Sequence, residues 1–70
     1  MYKLHKHSIT LRGHRTSFSL EDEFWNELKT LARRQKRPLQ ALIEEVDRGR
    51  KGNLSSALRV YVLKTLTNQD

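Results

Sequence analysis

The most regular pattern in the chain is an alternation of polar and apolar residues between positions 15 and 20. Successive side chains of an extended chain point to opposite faces, so this alternation predicts a β-strand with two unlike faces. The polar face carries Arg15, Ser17 and Ser19, and the other face carries Thr16, Phe18 and Leu20. A single strand neither pairs its own backbone nor buries its own apolar face. We therefore expect residues 15–20 to pair with the same strand of a second copy, with the polar face turned towards another molecule.

The segment before this strand alternates with the opposite parity. Its apolar residues, Ile9 and Leu11, are odd-numbered, whereas those after Gly13 are even-numbered. A straight strand would place one of the two sets on the wrong face, so Gly13 marks a turn or a bulge. With a turn, residues 8–11 form either a second strand or an arm. We favour an N-terminal arm over residues 1–14 that turns at Gly13 and packs beside the ribbon.

Helical periodicity replaces the alternation from Phe24 onwards. The first helix is predicted over residues 21–34. Ser19 is a candidate N-cap for it, and Asp22 stands three residues later, as in a capping box.

Two more helices are predicted in the second half of the chain. One covers residues 38–47 and starts at Pro38, whose missing N–H is no loss in the first position of a helix. The other covers residues 54–66 and follows Asn53, a favourable N-cap. This last helix is apolar on most sides, which is typical of a helix buried between neighbours. In so short a chain we expect those neighbours to include a second subunit.

Size and composition predict one small domain that needs a partner. The chain has 70 residues and no cysteine, so no disulfide can strengthen it. A chain of this length buries only about 60% of its unfolded surface, and oligomerisation is the expected source of further stability. We treat residues 1–70 as a single domain, mostly α with a short β-ribbon, in an intertwined homodimer. The longest apolar run is shorter than the ~20 residues of a membrane span. Residues 1–9 do not look like a secretion signal, so a cytoplasmic location is expected.

The charge balance predicts a polyanionic partner. Fourteen Lys and Arg residues against eight Asp and Glu residues give a net charge of +6 and a pI near 10.2. Nucleic acid is the first candidate and an anionic membrane the second; the alternative is a basic surface that only aids solubility. Four cations also lie in residues 33–37, just before the second helix. Free N–H groups at a helix start bind phosphate, so we favour a phosphate site there over an ordinary solvated turn.

Metal binding and catalysis are not predicted. His5, His7 and His14 could in principle hold a metal, but no carboxylate or thiolate lies near them in sequence, and solvated histidines are expected. The chain has no cysteine nucleophile, and its glycines lack the strand-loop-helix context of a phosphate-binding loop. We therefore expect neither an enzyme nor a cofactor.

The order of strand, helix, basic turn and helix resembles the ribbon-helix-helix (MetJ/Arc) superfamily of bacterial and phage DNA-binding proteins. Residues 15–25 look like the strand-to-helix junction of that family, and residues 38–43 look like the start of its second helix. Residues 8–17 and 52–59 are similar to segments that open and close a subgroup of short bacterial members. Members of that subgroup have an N-terminal arm and an extra C-terminal helix.

The resemblance implies a DNA-binding site on the ribbon. In that family two chains intertwine, their strands pair antiparallel, and the ribbon enters the major groove. The residues implied to contact bases are Arg15, Ser17 and Ser19. The residues expected to contact phosphate, at and before the second helix, are Arg34, Lys36, Arg37, Pro38, Leu39 and Gln40. Additional DNA contacts are expected from Lys3, Lys6, Arg12 and His14. The chain departs from the pattern at Pro38, where the family often has a Ser or Thr cap, so only a backbone contact is expected from that position.

The predicted function is sequence-specific binding of double-stranded DNA by a homodimer, as a bacterial transcriptional regulator or repressor in the nucleoid. Assembly beyond the dimer on DNA stays open. The alternative is a protein-interaction module on the same dimer, such as an antitoxin or an adaptor, with a protein partner on the third helix or the N-terminal arm. Salt-dependent binding to duplex DNA distinguishes the two, because phosphate contacts release counterions.

Overall fold

Two strands and then three helices make up the computed structural model, which describes residues 4–50 and 52–67. The elements are β1 (Leu4–Leu11), β2 (His14–Glu21), α1 (Asp22–Arg34), α2 (Leu39–Gly49) and α3 (Leu54–Thr67). This arrangement confirms the predicted fold class, a mostly helical chain with a short antiparallel ribbon.

The two strands form a hairpin that is closed by Arg12 and Gly13. The register runs from Leu11 opposite His14 beside the turn to Leu4 opposite Glu21 at the far end. Both turn residues have positive φ, 50° for Arg12 and 84° for Gly13. Two-residue turns with this backbone match the right-handed twist of the paired strands. The reversal explains the change of parity at Gly13, because it places the odd residues of β1 and the even residues of β2 on one face.

The hairpin gives β2 a partner strand from its own chain, which differs from the expectation. We expected β2 to pair with a second copy and residues 1–14 to form an arm, but β1 pairs with β2 along its whole length. A short turn closes at little cost in chain entropy. Residues 4–11 also alternate, so their apolar side chains lie on the same face of the ribbon as those of β2. Residues 1–3, including the predicted DNA contact Lys3, lie outside the described residues.

The first helix follows the hairpin directly. Its N-cap is Glu21, which has an extended backbone and makes no capping bond through its side chain. The expected capping box from Ser19 to Asp22 is therefore wrong. Ser19 stays in β2, and its backbone N–H donates to Ser55 Oγ at 3.0 Å. The acidic first turn and basic last turn of α1 still favour the helix through its dipole.

The second and third helices begin near their predicted starts and end slightly later. Pro38 is the N-cap of α2 rather than its first residue, and α2 continues to Gly49 instead of ending at residue 47. Asn53 caps α3, as its Oδ1 accepts the N–H of Ser56 at 2.7 Å.

The hydrophobic core lies between the inner face of the hairpin and the three helices. Each element contributes to it, and the side chains of Leu20, Leu28, Leu42, Ile43, Leu58 and Val62 are almost completely buried. Phe18 is also buried, so the apolar face predicted for β2 is the face that meets the helices. The opposite face of the hairpin therefore points away from the helices.

The third helix covers the core with one side only. Leu54, Leu58 and Val62 are buried, whereas three apolar residues on the remaining surface, Val60, Leu63 and Leu66, are 41–60% exposed. We expected this helix to be buried on most sides, but within one chain only one of its sides is buried. In the part of the chain that the structure describes, no helix combines the length and the apolar character needed to cross a membrane.

Candidate nucleic-acid interface

The outer face of the hairpin is a polar surface built from opposed residues of both strands. The opposed pairs on this face are Thr10 and Arg15, Ser8 and Ser17, Lys6 and Ser19, and Leu4 and Glu21. Every residue of the first three pairs is exposed except Ser19, which is half-buried. Two cations and four hydroxyl side chains thus lie on a ribbon whose reverse side packs on the core.

The three residues predicted to contact bases share this face. Arg15 and Ser17 are exposed, and Ser19 lies next along the strand. The hydrogen bond from Ser19 to α3 uses its backbone N–H, and its hydroxyl does not cap α1. Hence the backbone bond holds this position in the strand while the side chain stays on the outer face.

The N-terminus of α2 lies beside the edge of β1. Gln40 Nε2 donates to the backbone carbonyl of Thr10 at 2.7 Å. The first turn of α2 contains no acidic residue, and Pro38 makes no capping bond through its side chain. The first N–H groups of an α-helix have no partner inside the helix. The start of α2 therefore combines N–H donors that have no partner inside the helix with the positive end of the helix dipole, next to the ribbon.

The basic turn before α2 contains cations in different environments. Arg37 Nη1 lies 2.5 Å from Glu45 Oε1. The Nε of Arg37 donates to Gln35 Oε1 at 2.8 Å. The hydrogen bond to Glu45 raises the pKa of Arg37 above its ordinary value. Lys36 is exposed on a left-handed backbone with φ of 57°, and Arg34 is exposed at the end of α1. Phosphate binding by the Arg37 guanidinium would therefore compete with Glu45.

The tip of the hairpin is held by one side of α2. The backbone N–H of Arg12 donates to Glu44 Oε2 at 3.2 Å, and its guanidinium donates to Asp47 Oδ2 at 2.7 Å. Arg50 donates a hydrogen bond to the same carboxylate, and together Arg50 and Arg12 lower the pKa of Asp47 below its usual value. Arg12, predicted as an additional DNA contact, is thus paired with α2, whereas His14 beside it is exposed.

Sequence reasoning did not identify this anchor. Gln40, Glu44 and Asp47 are spaced four and three residues apart, so they form one polar stripe along α2. That spacing was the signal in the sequence from which the anchor could have been predicted. A polar stripe that faces only solvent has the same spacing, so the signal did not distinguish the two.

The opposite end of the ribbon is tied to α3 and α1. Arg59 Nε donates to Glu21 Oε1 at 2.9 Å, and this hydrogen bond is the main cause of the lowered pKa of Glu21. His5 Nδ1 lies 2.6 Å from Asp22 Oδ1. Arg59 therefore offsets the charge of Glu21, an acidic residue that would otherwise stand unpaired at the end of the polar face.

A ring stack joins the inner face of β1 to α1. The imidazole of His7 stacks on the indole of Trp25 with ring centroids 3.8 Å apart and planes inclined by 15°. His7 Nε2 is buried and has no hydrogen-bond partner among the residues that the structure describes. Burial is the largest cause of the lowered pKa of His7. This histidine is therefore part of the packing, and the solvated role expected for it from the sequence is wrong. Within residues 4–50 and 52–67, no three potential ligand side chains gather as a metal site would require.

A comparison with models of protein families agrees with this architecture. Neither the curated proteins nor the solved structures contain a match to the chain. The family model described as a ribbon-helix-helix domain matches residues 4–66, which run from the start of β1 almost to the end of α3. A match over nearly the whole chain, together with an antiparallel ribbon followed by helices, identifies the fold as that of the family. This chain belongs to the ribbon-helix-helix family.

Proposed function

We propose that the protein binds double-stranded DNA sequence-specifically as a transcriptional regulator, with its β-ribbon in the major groove. The observation that carries this proposal is the exposed polar face of the ribbon in a chain of net charge +6. Ribbon-helix-helix domains are in general DNA-binding regulators or antitoxins, and typically not enzymes. Binding to DNA would place the protein in the nucleoid.

The dimensions of a two-stranded ribbon suit the groove. Neighbouring strands lie about 4.8 Å apart, and the major groove of B-DNA is about 12 Å wide and admits a two-stranded ribbon. Side chains on the outer face would therefore reach base edges while the helices stay outside the groove.

The residues of β2 have complementary roles in this proposal. Arg15 donates to the O6 and N7 of a guanine, a bidentate contact that contributes about 1–3 kcal/mol of discrimination. Ser17 and Ser19 either donate or accept, so they tolerate several bases. Most of the sequence preference is thus assigned to Arg15.

Phosphate contacts are assigned to the start of α2 and the exposed part of the basic turn. The backbone N–H groups of Leu39 and Gln40 would bind a phosphate next to the ribbon, and Lys36 and Arg34 would add charge. Arg37 is a weaker candidate than expected because Glu45 already contacts it. These contacts would fix the register of the ribbon in the groove without reading sequence.

We assign dimer formation to the exposed apolar side of α3. Val60, Leu63 and Leu66 are 41–60% exposed, and burial of such residues would add stability to a domain of this size. Sedimentation at micromolar concentration tests this assignment, with Leu63→Ser expected to shift the protein towards the single chain. A wild-type protein that sediments as one chain would refute it and would favour a different protein on this face, as in the interaction-module alternative.

DNA binding is tested by fluorescence anisotropy with duplex DNA at two salt concentrations. A dimer with about six phosphate contacts is expected to lose about a thousandfold in affinity between 50 and 200 mM salt. Duplexes enriched from a random pool then provide a preferred sequence and a scrambled control. No detectable binding at the lower salt concentration would refute the proposal.

Three variants separate base contacts from phosphate contacts. Arg15→Ala is expected to reduce the preference for the selected duplex over the scrambled one by about fivefold or more. Lys36→Ala is expected to weaken both duplexes alike and to reduce the salt dependence. Lys64→Ala is the charge-matched control, because Lys64 is exposed on α3 about 15 Å along the helix from its start. Equal losses on both duplexes for Arg15→Ala would contradict its role in base recognition.

A further inference from the structure

A basic cleft lies between the tip of the hairpin and the end of α2. Its volume is about 250 Å³, and its lining includes Arg12, His14, Arg15 and Arg50. Among the described residues that line it, Asp47 is the only acidic one. Three guanidiniums against one carboxylate give the lining a formal charge of +2, with His14 counted as neutral. An excess of positive charge in a concave surface concentrates anions there.

This cleft is separate from the phosphate contact assigned to the start of α2. Arg50 follows the last residue of α2, eleven positions after Leu39, so the two places lie about 16 Å apart along the helix. The cleft is next to the negative end of the helix dipole, which favours the arginines but not an anion. Binding of an anion there would therefore depend on side-chain donors and not on the helix end.

Asp47 holds two of the guanidiniums in the wall of the cleft. Its Oδ1 accepts a hydrogen bond from Arg50 Nε and its Oδ2 accepts one from Arg12 Nη2, both at 2.7 Å. Arg50 Nη1 also donates to the carbonyl of Gly52 at 2.6 Å. The side chain of Asp47 is 12% exposed, against 50% for Arg12 and 39% for Arg50. The carboxylate is therefore largely covered, whereas the two guanidiniums that it fixes stay open to solvent.

Both guanidiniums keep donors for a further partner. Each guanidinium has five N–H groups. Within residues 4–50 and 52–67, hydrogen bonds use two of these groups on Arg50 and one on Arg12. Guanidinium groups form paired, charge-assisted hydrogen bonds with the oxygens of phosphate. Because Asp47 already holds both side chains, little side-chain entropy is lost on binding. A phosphate group is therefore the anion that suits the cleft best.

We propose that the cleft binds a phosphate group through Arg12 and Arg50, with His14 as a further donor and Asp47 as the residue that positions both guanidiniums. The phosphate group belongs either to the DNA backbone or to a free phosphate ester. The structure favours DNA, since Arg15 both lines the cleft and lies on the exposed outer face of the ribbon. With DNA as the source, the inference rests on the proposed function and deepens it. With a free ester as the source, it is independent of that function.

A titration with inorganic phosphate tests the cleft without DNA. The Nε–H signals of Arg12 and Arg50 in NMR spectra are expected to shift and to saturate, while sodium chloride at equal ionic strength leaves them almost unchanged. Arg50→Gln is expected to weaken phosphate binding about tenfold, as followed by the Arg12 signal. Arg48→Gln is the matched control and should bind like the wild type, because Arg48 is exposed in the last turn of α2, outside the cleft. Thermal melting checks that each variant is folded.

Asp47→Asn separates positioning from charge. The substitution removes a negative charge from the cleft, so by charge alone phosphate binding should become tighter. Loss of the bonds that fix Arg12 and Arg50 should make binding weaker, and the expected net result is a loss of about threefold. Tighter binding by this variant would overturn the positioning role of Asp47.

Duplex DNA at two salt concentrations tests the other source of the phosphate group. Phosphate contacts carry no sequence information directly. Arg50→Gln is therefore expected to weaken the preferred and the scrambled duplex alike. It should also reduce the slope of log affinity against log salt by about one for each copy bound. Arg48→Gln should keep the wild-type slope.

The outcomes distinguish the two sources from each other and from the proposed function. An effect of Arg50→Gln on DNA binding alone assigns the cleft to the DNA backbone, and effects in both experiments assign it to phosphate from either source. Saturable phosphate binding by a protein that does not bind duplex DNA assigns the cleft to a free ester and refutes the proposed function. If DNA binds, Arg50→Gln behaves like Arg48→Gln and phosphate moves neither guanidinium signal, this inference is refuted and the proposed function stands. If neither DNA nor phosphate binds, both are refuted.

Discussion

Replacement of Gly13 by alanine tests the turn that keeps the ribbon within one chain. Gly13 has φ of +84°, and a Cβ added to it would meet no atom of the described residues within 4 Å. Steric contact therefore adds nothing to the cost of the substitution. That cost is the free energy of placing an L-residue in a left-handed backbone conformation, about 1–2 kcal/mol. Alanine also restricts the unfolded chain, which offsets about 0.4–1 kcal/mol of this cost. The expected net loss in the free energy of unfolding is about 1 kcal/mol.

Gly49→Ala is a matched substitution with the opposite expected sign. Gly49 is the last residue of α2, and an added Cβ again meets nothing within 4 Å in residues 4–50 and 52–67. Its φ lies outside the left-handed range, so alanine brings better helix propensity and a more restricted unfolded chain. The expected gain is about 0.5–1 kcal/mol. The same chemical change should thus destabilise the protein at one position and stabilise it at the other.

Urea denaturation followed by tryptophan fluorescence measures both effects. Trp25 is the only tryptophan, and it stacks on His7 of β1, so its emission reports the docking of the hairpin. All variants are compared at one protein concentration because the proposed dimer formation would link stability to concentration. In a domain of this size 1 kcal/mol corresponds to about 4–8 °C in Tm. Shifts of the same sign for Gly13→Ala and Gly49→Ala would refute the assigned turn. Gly13→Asn should lose less than Gly13→Ala, since asparagine tolerates the left-handed region.

Three further predictions concern packing, capping and pH. Leu28 is fully buried and Leu4 is 58% exposed, so in urea denaturation Leu28→Ala should cost about 2–5 kcal/mol and Leu4→Ala less than about 0.5 kcal/mol; similar losses would contradict the assigned core. Asn53→Ala removes the cap of α3 and should cost about 0.5–2 kcal/mol, measured by thermal melting, and an unchanged Tm would show that the cap contributes nothing. Burial lowers the pKa of His7 below its ordinary value of 6.5, so the unfolded chain binds the proton more readily, and the free energy of unfolding should fall as the pH decreases below about 6.5. His7→Phe keeps the ring on Trp25 and should flatten that decrease in urea titrations between about pH 5 and pH 7; an unchanged slope would assign the acid sensitivity to other groups.

Features that depend on neighbours in sequence were predictable from the chain alone. The alternation between positions 15 and 20 identified the buried face of β2 correctly, with Phe18 and Leu20 in the core. The helical periodicity located all three helices of the described chain to within about two residues, and Asn53 was recognised as a cap. Such patterns are reliable because a strand or helix repeats every few residues, so the relevant side chains lie close together in the sequence.

Features that depend on a choice among distant partners needed the tertiary structure. Ser19 was a reasonable N-cap by spacing, yet its N–H pairs with Ser55, 36 positions later. Arg12 and Arg37 were equally plausible DNA contacts by charge, yet Asp47 and Glu45 contact them. A cation followed by a loop or a helix looks the same in sequence whether it meets phosphate or a carboxylate on the next helix.

The origin of the second ribbon strand shows the same division. The sequence established that β2 needs a partner and that the parity of apolar residues changes at Gly13. We predicted a second copy as that partner and an arm for residues 1–14, with a second strand over residues 8–11 as the alternative, since either partner offers the required alternation. The structure decided for β1, which contributes Leu11 to the core and is tied to α2 through Arg12. The physical reason is that periodicity is a local property, whereas strand pairing depends on small differences in free energy between whole arrangements of the chain.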